Sequence, residues 1–274
     1  MNRIARRFTE LAQKGRKGLV PYLTAGDPDL ITTERLMHTL VENGADLIEL
    51  GVPFSDPMAD GPVIQKACER ALASGTTLVG VLDVVRRFRK VDTTTPVILM
   101  GYLNPIEAMG YQDFVEAASS AGVDGLLTVD MPPEEADPLI KEMKRVKIAP
   151  IFLVAPTTTN KRMQMICRVA EGFVYYVSLK GVTGARAQLD ISEIEASVGR
   201  LKQYTDIPVG VGFGIRDAGT AAMIGKVADA VVVGSALVNL IAQYGSQSVL
   251  QERVASCLRE IRRGLDETVE SAQA

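Results

Sequence analysis

Histidine is nearly absent from this chain of 274 residues: His38 is the only one, which excludes a catalytic triad with a histidine base and a histidine-rich metal site. His38 itself lies in an amphipathic stretch from Leu30 to Glu42, where a surface or packing role is expected. Cysteine is scarce as well. Cys68, Cys167 and Cys257 are odd in number and widely spaced, which argues against a disulfide framework and suits a reducing cytoplasm, each thiol serving as a small core residue. No apolar run approaches about 18 residues, so no membrane span is expected. Charge of either sign is not in excess. Lys and Arg number 30 against 33 Asp and Glu, a formal net charge of -3 that gives no sign of the basic surface a nucleic acid requires. A small molecule or another protein is the expected partner.

What is present is apolar and periodic. Hydrophobic residues make up 47% of the chain, enough for a large core, and nothing reads as a linker, so one domain is expected over residues 1–274. The start, MNRIARRFTELAQKGRKG, is basic but sets Ile4, Phe8 and Leu11 at helical spacing and has no apolar signal region, so it reads as an amphipathic helix. Beyond it, short apolar runs alternate with helical patterns, the mark of a parallel sheet built from strand and helix units. Strands are expected near Gly18 to Thr24, Leu47 to Leu50, Val97 to Tyr102, Gly125 to Val129, Ile148 to Val154, Phe173 to Val177, Val209 to Phe213 and Ala230 to Val233. Helices fit at about 30–44, 62–73 with a second piece to about 90, 111–121, 133–146, 160–169, 190–203, 216–225 and 235–243, with a last one at about 247–264. About eight strands close a (β/α)8 barrel, here with an extra N-terminal helix. A doubly wound open sheet shows the same alternation and remains the alternative.

The unusual residues follow the strands. They are Thr24-Ala25-Gly26-Asp27-Pro28, the segment Glu49 to Asp60, Tyr102-Leu103-Asn104-Pro105, Asp130-Met131-Pro132-Pro133 and Val182-Thr183-Gly184. In a barrel, that face carries function. Glu49 interrupts an apolar strand, and a carboxylate there must be neutralised, paired or used. Its neighbours Leu47, Ile48 and Leu50 predict an apolar setting and a raised pKa suited to proton transfer. Asp60, on a loop expected to be open to solvent, should stay ionised, and unlike carboxylates are what acid-base work near neutrality needs. The plainer alternative pairs Glu49 with a lysine or arginine and uses Asp60 to cap the helix that Pro62 opens.

Further on, Gly212-Phe213-Gly214-Ile215 and Gly234-Ser235-Ala236 predict a phosphate cup at the start of a helix near Ser235, with glycines that only serve turns as the plainer alternative. The stretch from Ser178 to Gly184 suits a lid, or a plain surface connection. Lys180 lies beside glycine beyond the strand, where desolvation is not expected, so a covalent lysine is disfavoured. Asp46, Asp56, Asp60 and Asp130 lack the regular spacing of a metal loop.

The chain resembles the tryptophan synthase alpha subunit family. The residues that carry this are Pro21-Tyr22-Leu23-Thr24-Ala25-Gly26-Asp27-Pro28, Glu49 to Pro57 with Ala59-Asp60-Gly61-Pro62, Met100 to Pro105, Asp130 with Pro132, Gly181 to Gly184 and Gly212 to Ile215. The resemblance implies a (β/α)8 lyase that cleaves indole-3-glycerol phosphate to indole and glyceraldehyde 3-phosphate in tryptophan biosynthesis. It makes Glu49 the acid-base residue and Asp60 the carboxylate that holds the indole N–H. By the same resemblance Tyr22, Ile64, Met100, Tyr102, Leu127, Tyr175 and Phe213 wall the pocket. Gly184, Gly214, Gly234 and Ser235 cradle the phosphate, and Thr183 is the lid threonine that meets Asp60. Tyr22 stands where the family commonly has phenylalanine, so its hydroxyl needs a partner. Met100 stands where leucine is also found.

No metal or organic cofactor is implied for this chain. The implied partner is a pyridoxal-phosphate beta subunit in an alpha2-beta2 heterotetramer, contacted through the Asp56 loop, Asn104-Pro105 and Pro132-Pro133. The implied compartment is the cytoplasm, or the plastid stroma in a plant. Other phosphate-sugar barrels, such as indole-glycerol-phosphate synthase or an isomerase, depend on differently placed lysines or acid pairs, and no lysine falls within the expected strands. A non-catalytic subunit that only activates a partner is the third reading, against which both acids stand.

Overall fold

In a computed structural model, residues 2–177, 190–212, 214–245 and 247–273 are described, with side chains through Glu267. Eight strands form a closed barrel in sequence order: β1 (Gly18–Thr24), β2 (Ile48–Gly51), β3 (Val97–Gly101), β4 (Gly125–Thr128), β5 (Ala149–Val154), β6 (Val174–Val177), β7 (Val209–Gly212) and β8 (Ala230–Val233). Each pairs in parallel with the next, and β8 returns to β1. An open sheet is thereby excluded.

Helices α1 (Arg3–Gln13), α2 (Leu30–Glu42), α3 (Pro62–Ala73), α4 (Leu78–Phe88), α5 (Leu103–Met109) and α6 (Tyr111–Ala121) belong to the first half. The second half adds α7 (Asp137–Val146), α8 (Asn160–Val169), α9 (Ile191–Leu201), α10 (Ala218–Gly225), α11 (Ser235–Tyr244) and α12 (Leu250–Gln273). None of the described helices is long and apolar enough to cross a membrane.

The two-residue period of the strands sorts their side chains into two cores. Val20, Leu47, Ile98, Leu127, Ile151, Phe173, Tyr175 and Val232 pack on the inside. Leu19, Ile48, Leu99, Phe152, Val174 and Val231 pack outward under the helices. The apolar stripe of α1 joins the inner set through Ile4, Phe8 and Leu11, with the Phe8 ring 5.9 Å from Phe173. The N-terminal helix is therefore a plug at the amino ends of the strands. The carboxyl ends are left for the site.

Polar groups pin the plugged end. Asp46, Asp124 and Asp229 each accept a backbone N–H from the neighbouring strand, those of Leu19, Val97 and Val209, all at 2.9 Å. Each aspartate also meets a cation, Arg262 at 3.0 Å, Arg89 at 2.7 Å and Lys202 at 2.9 Å respectively. Arg262 reaches in from α12 and bonds the Lys17 carbonyl and Asp266 as well. Arg262→Ala leaves the buried Asp46 carboxylate without its cation, so a loss of roughly 3–5 kcal/mol is expected in urea unfolding. A loss below about 1 kcal/mol would show the pair to be incidental.

Several boundaries differ from the sequence reading. The segment Leu103-Asn104-Pro105, expected as loop, is the first turn of α5; Pro105 is tolerated there because first-turn N–H groups have no helical partner. α7 starts at Asp137 rather than 133, where Pro138 sits in its first turn. Asp190 and Asp217 cap α9 and α10 through the N–H groups of Glu193 and Thr220, which moves both starts later than expected. β2 is shifted by one residue, and α12 runs past the expected stop. His38 packs its ring 4.9 Å from Phe88, as a packing role requires. Of the three free cysteines, Cys68 is buried and the other two are half-buried.

Candidate active site

Glu49 alternates with Leu47 along β2 and so points into the barrel, in register with Tyr22 of β1 and Ile98 of β3. Its exposure is 1%, and its Oε1 has no hydrogen-bond partner among the described residues. Burial raises the carboxyl to about 8, and the charge of Asp60 adds to the rise. At neutral pH the side chain holds a proton inside an apolar wall. No lysine or arginine pairs with it among the described residues.

Asp60 lies on the loop between β2 and α3, and that loop is wrapped around one side chain. The Tyr102 hydroxyl donates to Asp60 Oδ2 at 2.9 Å and accepts the Ala59 N–H at 3.0 Å. The Phe54 ring stacks on Tyr102 with centroids 5.2 Å apart. Within the loop, the Asp60 N–H reaches the Pro57 carbonyl at 3.1 Å, and Gln65 Nε2 donates to the Asp60 carbonyl at 2.9 Å. The expectation of a solvent-open carboxylate at its ordinary pKa is corrected: Asp60 is half-buried, and burial raises its pKa against the opposing hydrogen bond from Tyr102. Nor does Asp60 cap α3, whose N-cap is Gly61 with no side-chain bond.

Those of the expected wall residues that are described converge at this end. Tyr22 packs with Ile64, Met100, Val63, Ala67 and Val238, while Leu127 and Tyr175 belong to the inner core that Met100 also touches. The Tyr22 hydroxyl finds its partner in Thr24 Oγ1 at 3.2 Å. Two glycines make room for the tyrosines: a Cβ at Gly51 would collide with the Tyr22 hydroxyl, and one at Gly212 with that of Tyr175. Sequence reading missed Val129, Leu153 and Val177, which pack against the inner core near the strand ends. Alternation from Leu127, Ile151 and Tyr175 would have found them. It also missed Phe54, which no period governs.

Gly214 adopts φ +79, a conformation side chains rarely take. Gly234 is the N-cap of α11, Ser235 its first residue, and no side chain caps this end. A Cβ on Gly234 would lie 3.6 Å from Tyr22, so this helix start adjoins the pocket wall. Such a start attracts anions through free N–H groups and the helix dipole. Thr183, Gly184, Lys180 and Phe213, and with them the expected lid, lie outside the described residues. The aspartates weighed as metal ligands have separate partners: Asp46 as above, Asp56 the Ser55 hydroxyl at 2.6 Å, and Asp130 the Leu103 N–H at 2.8 Å. No metal-holding cluster of His, Cys, Asp and Glu occurs among the described residues.

A family model described as tryptophan synthase alpha chain matches residues 8–268. The tryptophan synthase alpha chain of Nitrosococcus oceani is 59% identical over 269 residues, covering 98% of this chain and 99% of the relative. That of Alkalilimnicola ehrlichii is 59% identical over 270 residues, covering 97% of each. The crystal structure of tryptophan synthase subunit alpha from Legionella pneumophila superposes with a TM-score of 0.90 at 45% identity, over 97% of this chain and 99% of that one. A tryptophan synthase structure from M. tuberculosis gives 0.86 at 34% identity, over 97% of this chain and 100% of its counterpart. Sequence, barrel and relatives agree along nearly the whole length, and the chain belongs to the tryptophan synthase alpha chain family.

Proposed function

We propose that this chain cleaves indole-3-glycerol phosphate to indole and glyceraldehyde 3-phosphate as the alpha subunit of tryptophan synthase, a carbon-carbon lyase. The observation that carries the reading is Glu49, a buried acid with a free oxygen and a pKa near 8. Its proton goes to the ring carbon that bears the glycerol chain, which turns the ring into a cation centred on its N–H. Asp60 accepts that N–H and stabilises the developing charge. The bond to the side chain then breaks, its electron pair returning to the ring, which leaves as indole. The carbinol hydroxyl becomes the aldehyde, and its proton returns to Glu49, so the carboxyl is acid first and base second. The ring cation is the electron sink, which removes the need for a metal or organic cofactor in this chain.

Tyr22, Ile64, Met100, Leu127, Tyr175 and Phe213 line the flat aromatic part of the substrate in this reading. Gly184, Gly214, Gly234 and Ser235 take its phosphate, Tyr102 holds the Asp60 loop, and Thr183 meets Asp60 on closure. The pyridoxal phosphate belongs to the beta subunit of the alpha2-beta2 assembly. The docking surface would include the Asp56 loop, where Met58 is 77% exposed, with Asn104-Pro105 and Pro132-Pro133. We assign the whole chain to one domain and place it in the cytoplasm, in keeping with its free thiols.

Purified protein given indole-3-glycerol phosphate, with and without a beta subunit, is expected to release indole without added metal; no release in either case would sink the reading. The pH dependence follows from the protonated acid. Glu49 must carry its proton to start the reaction, so kcat/KM is expected to fall above about pH 8. A profile still flat at pH ~10 would remove Glu49 as proton donor.

A further inference from the structure

Asp130 has no part in the proton transfer, yet it is joined to the catalytic loop by two contacts. α5 begins at Leu103, and its N-cap, Tyr102, makes no side-chain cap bond. The cap comes from another loop: Asp130, two residues past β4, accepts the Leu103 N–H on Oδ1 at 2.8 Å. A carboxylate there satisfies one of the helix's orphan donors and complements its dipole. Tyr102 directly precedes the pinned amide, and its hydroxyl carries both Asp60 Oδ2 and the Ala59 N–H. The loops after β2, β3 and β4 are thus joined in series through Tyr102.

We propose that Asp130 is a positioning residue for Asp60. By holding the first amide of α5 it fixes the Tyr102–Leu103 junction, and with it the direction of the hydroxyl to which the Asp60 loop is anchored. The inference rests on the reading of Asp60 as the group that stabilises the ring cation. Because that interaction strengthens as charge develops, a displaced Asp60 lowers kcat more than it raises KM. The turn at Met131-Pro132-Pro133 follows Asp130 directly, so a body seated on that turn bears on the same junction.

The test measures activity and amide exchange in Asp130→Ala, Asp130→Asn, Tyr102→Phe and the double variant Asp130→Ala/Tyr102→Phe. Asp130 is exposed, so its replacement is expected to leave the core intact, and circular dichroism checks the fold of every variant. Asp130→Ala is expected to lower kcat about tenfold with KM changed less than ~2-fold, the effect of one well-placed hydrogen bond. It should also speed hydrogen exchange about tenfold in the peptide spanning Phe54 to Gly61. Asp130→Asn keeps an oxygen that accepts the Leu103 N–H, so it should restore both properties. Added to Tyr102→Phe, Asp130→Ala should cost little more, because both act through one hydroxyl.

Full activity and unchanged exchange in Asp130→Ala would overturn the proposal, as would additive losses in the double variant or no recovery in Asp130→Asn. The exchange measurement separates this failure from that of the reaction itself. A wild-type chain that releases no indole refutes the lyase reading, while its loop exchange still responds, or fails to respond, to Asp130.

Discussion

Glu49→Gln folds as the parent does and releases indole at about a thousandth of its rate or less, because an amide cannot give up the proton that starts the reaction. The same variant carries a second expectation, in stability. An ordinary glutamate ionises near 4.5, whereas Glu49 in the folded chain holds its proton to about 8. Between those values the native state binds a proton that the unfolded chain has released, so unfolding free energy falls as pH rises. The slope approaches ~1.4 kcal/mol per unit of pH, and the stabilisation is fully present only below the unfolded value. Glutamine has no such dependence. Glu49→Gln is therefore expected to be more stable than the parent at pH ~8, by an amount on the order of a few kcal/mol, and the difference should close toward acid. Indole release near the parental rate would end the assignment of Glu49 as proton donor. A stability difference independent of pH would end the claim that it is buried as an acid.

Asp60→Asn is the second large effect. Asparagine keeps the shape and an oxygen for the Tyr102 hydroxyl, so the loop stays wrapped, but the negative charge beside the ring N–H is gone. A loss of roughly 10²–10³ in kcat with KM little changed is expected. Because the Asp60 charge contributes to the raised pKa of Glu49, the alkaline limb of the residual activity should move to lower pH. Parental turnover would remove the electrostatic role of Asp60. A fixed limb would show that Glu49 owes its shift to burial alone.

The barrel was legible because its strands are short apolar runs that must be covered on both faces, and few arrangements do that in sequence order. Glu49 was legible for the same reason. An acid inside such a run has no solvent to face, and alternation with Leu47 sends it inward. Local order also showed where α11 begins, since Gly234 and Ser235 follow an apolar strand.

What escaped is what depends on contacts far along the chain. Asp60 reads as an open carboxylate because it sits on a proline-rich loop expected to face solvent, yet Tyr102, 42 residues away, holds it half-buried. Tyr102 read as pocket wall, and nothing near it in sequence indicates that Phe54 stacks on it or that the Ala59 amide needs it. α5 was hidden by Pro105, a residue that marks a loop unless it falls in a first turn. The lock between Arg262 and Asp46 spans 216 residues, beyond any local pattern.

The measurement that bears most directly on the proton-shuttle mechanism is an infrared difference spectrum of the parent against Glu49→Gln, followed through the carboxyl stretch as pH is raised. A protonated-acid band present at pH ~7 and lost with a midpoint near 8 is the expected result. A spectrum showing Glu49 already as carboxylate at pH ~7 would contradict it.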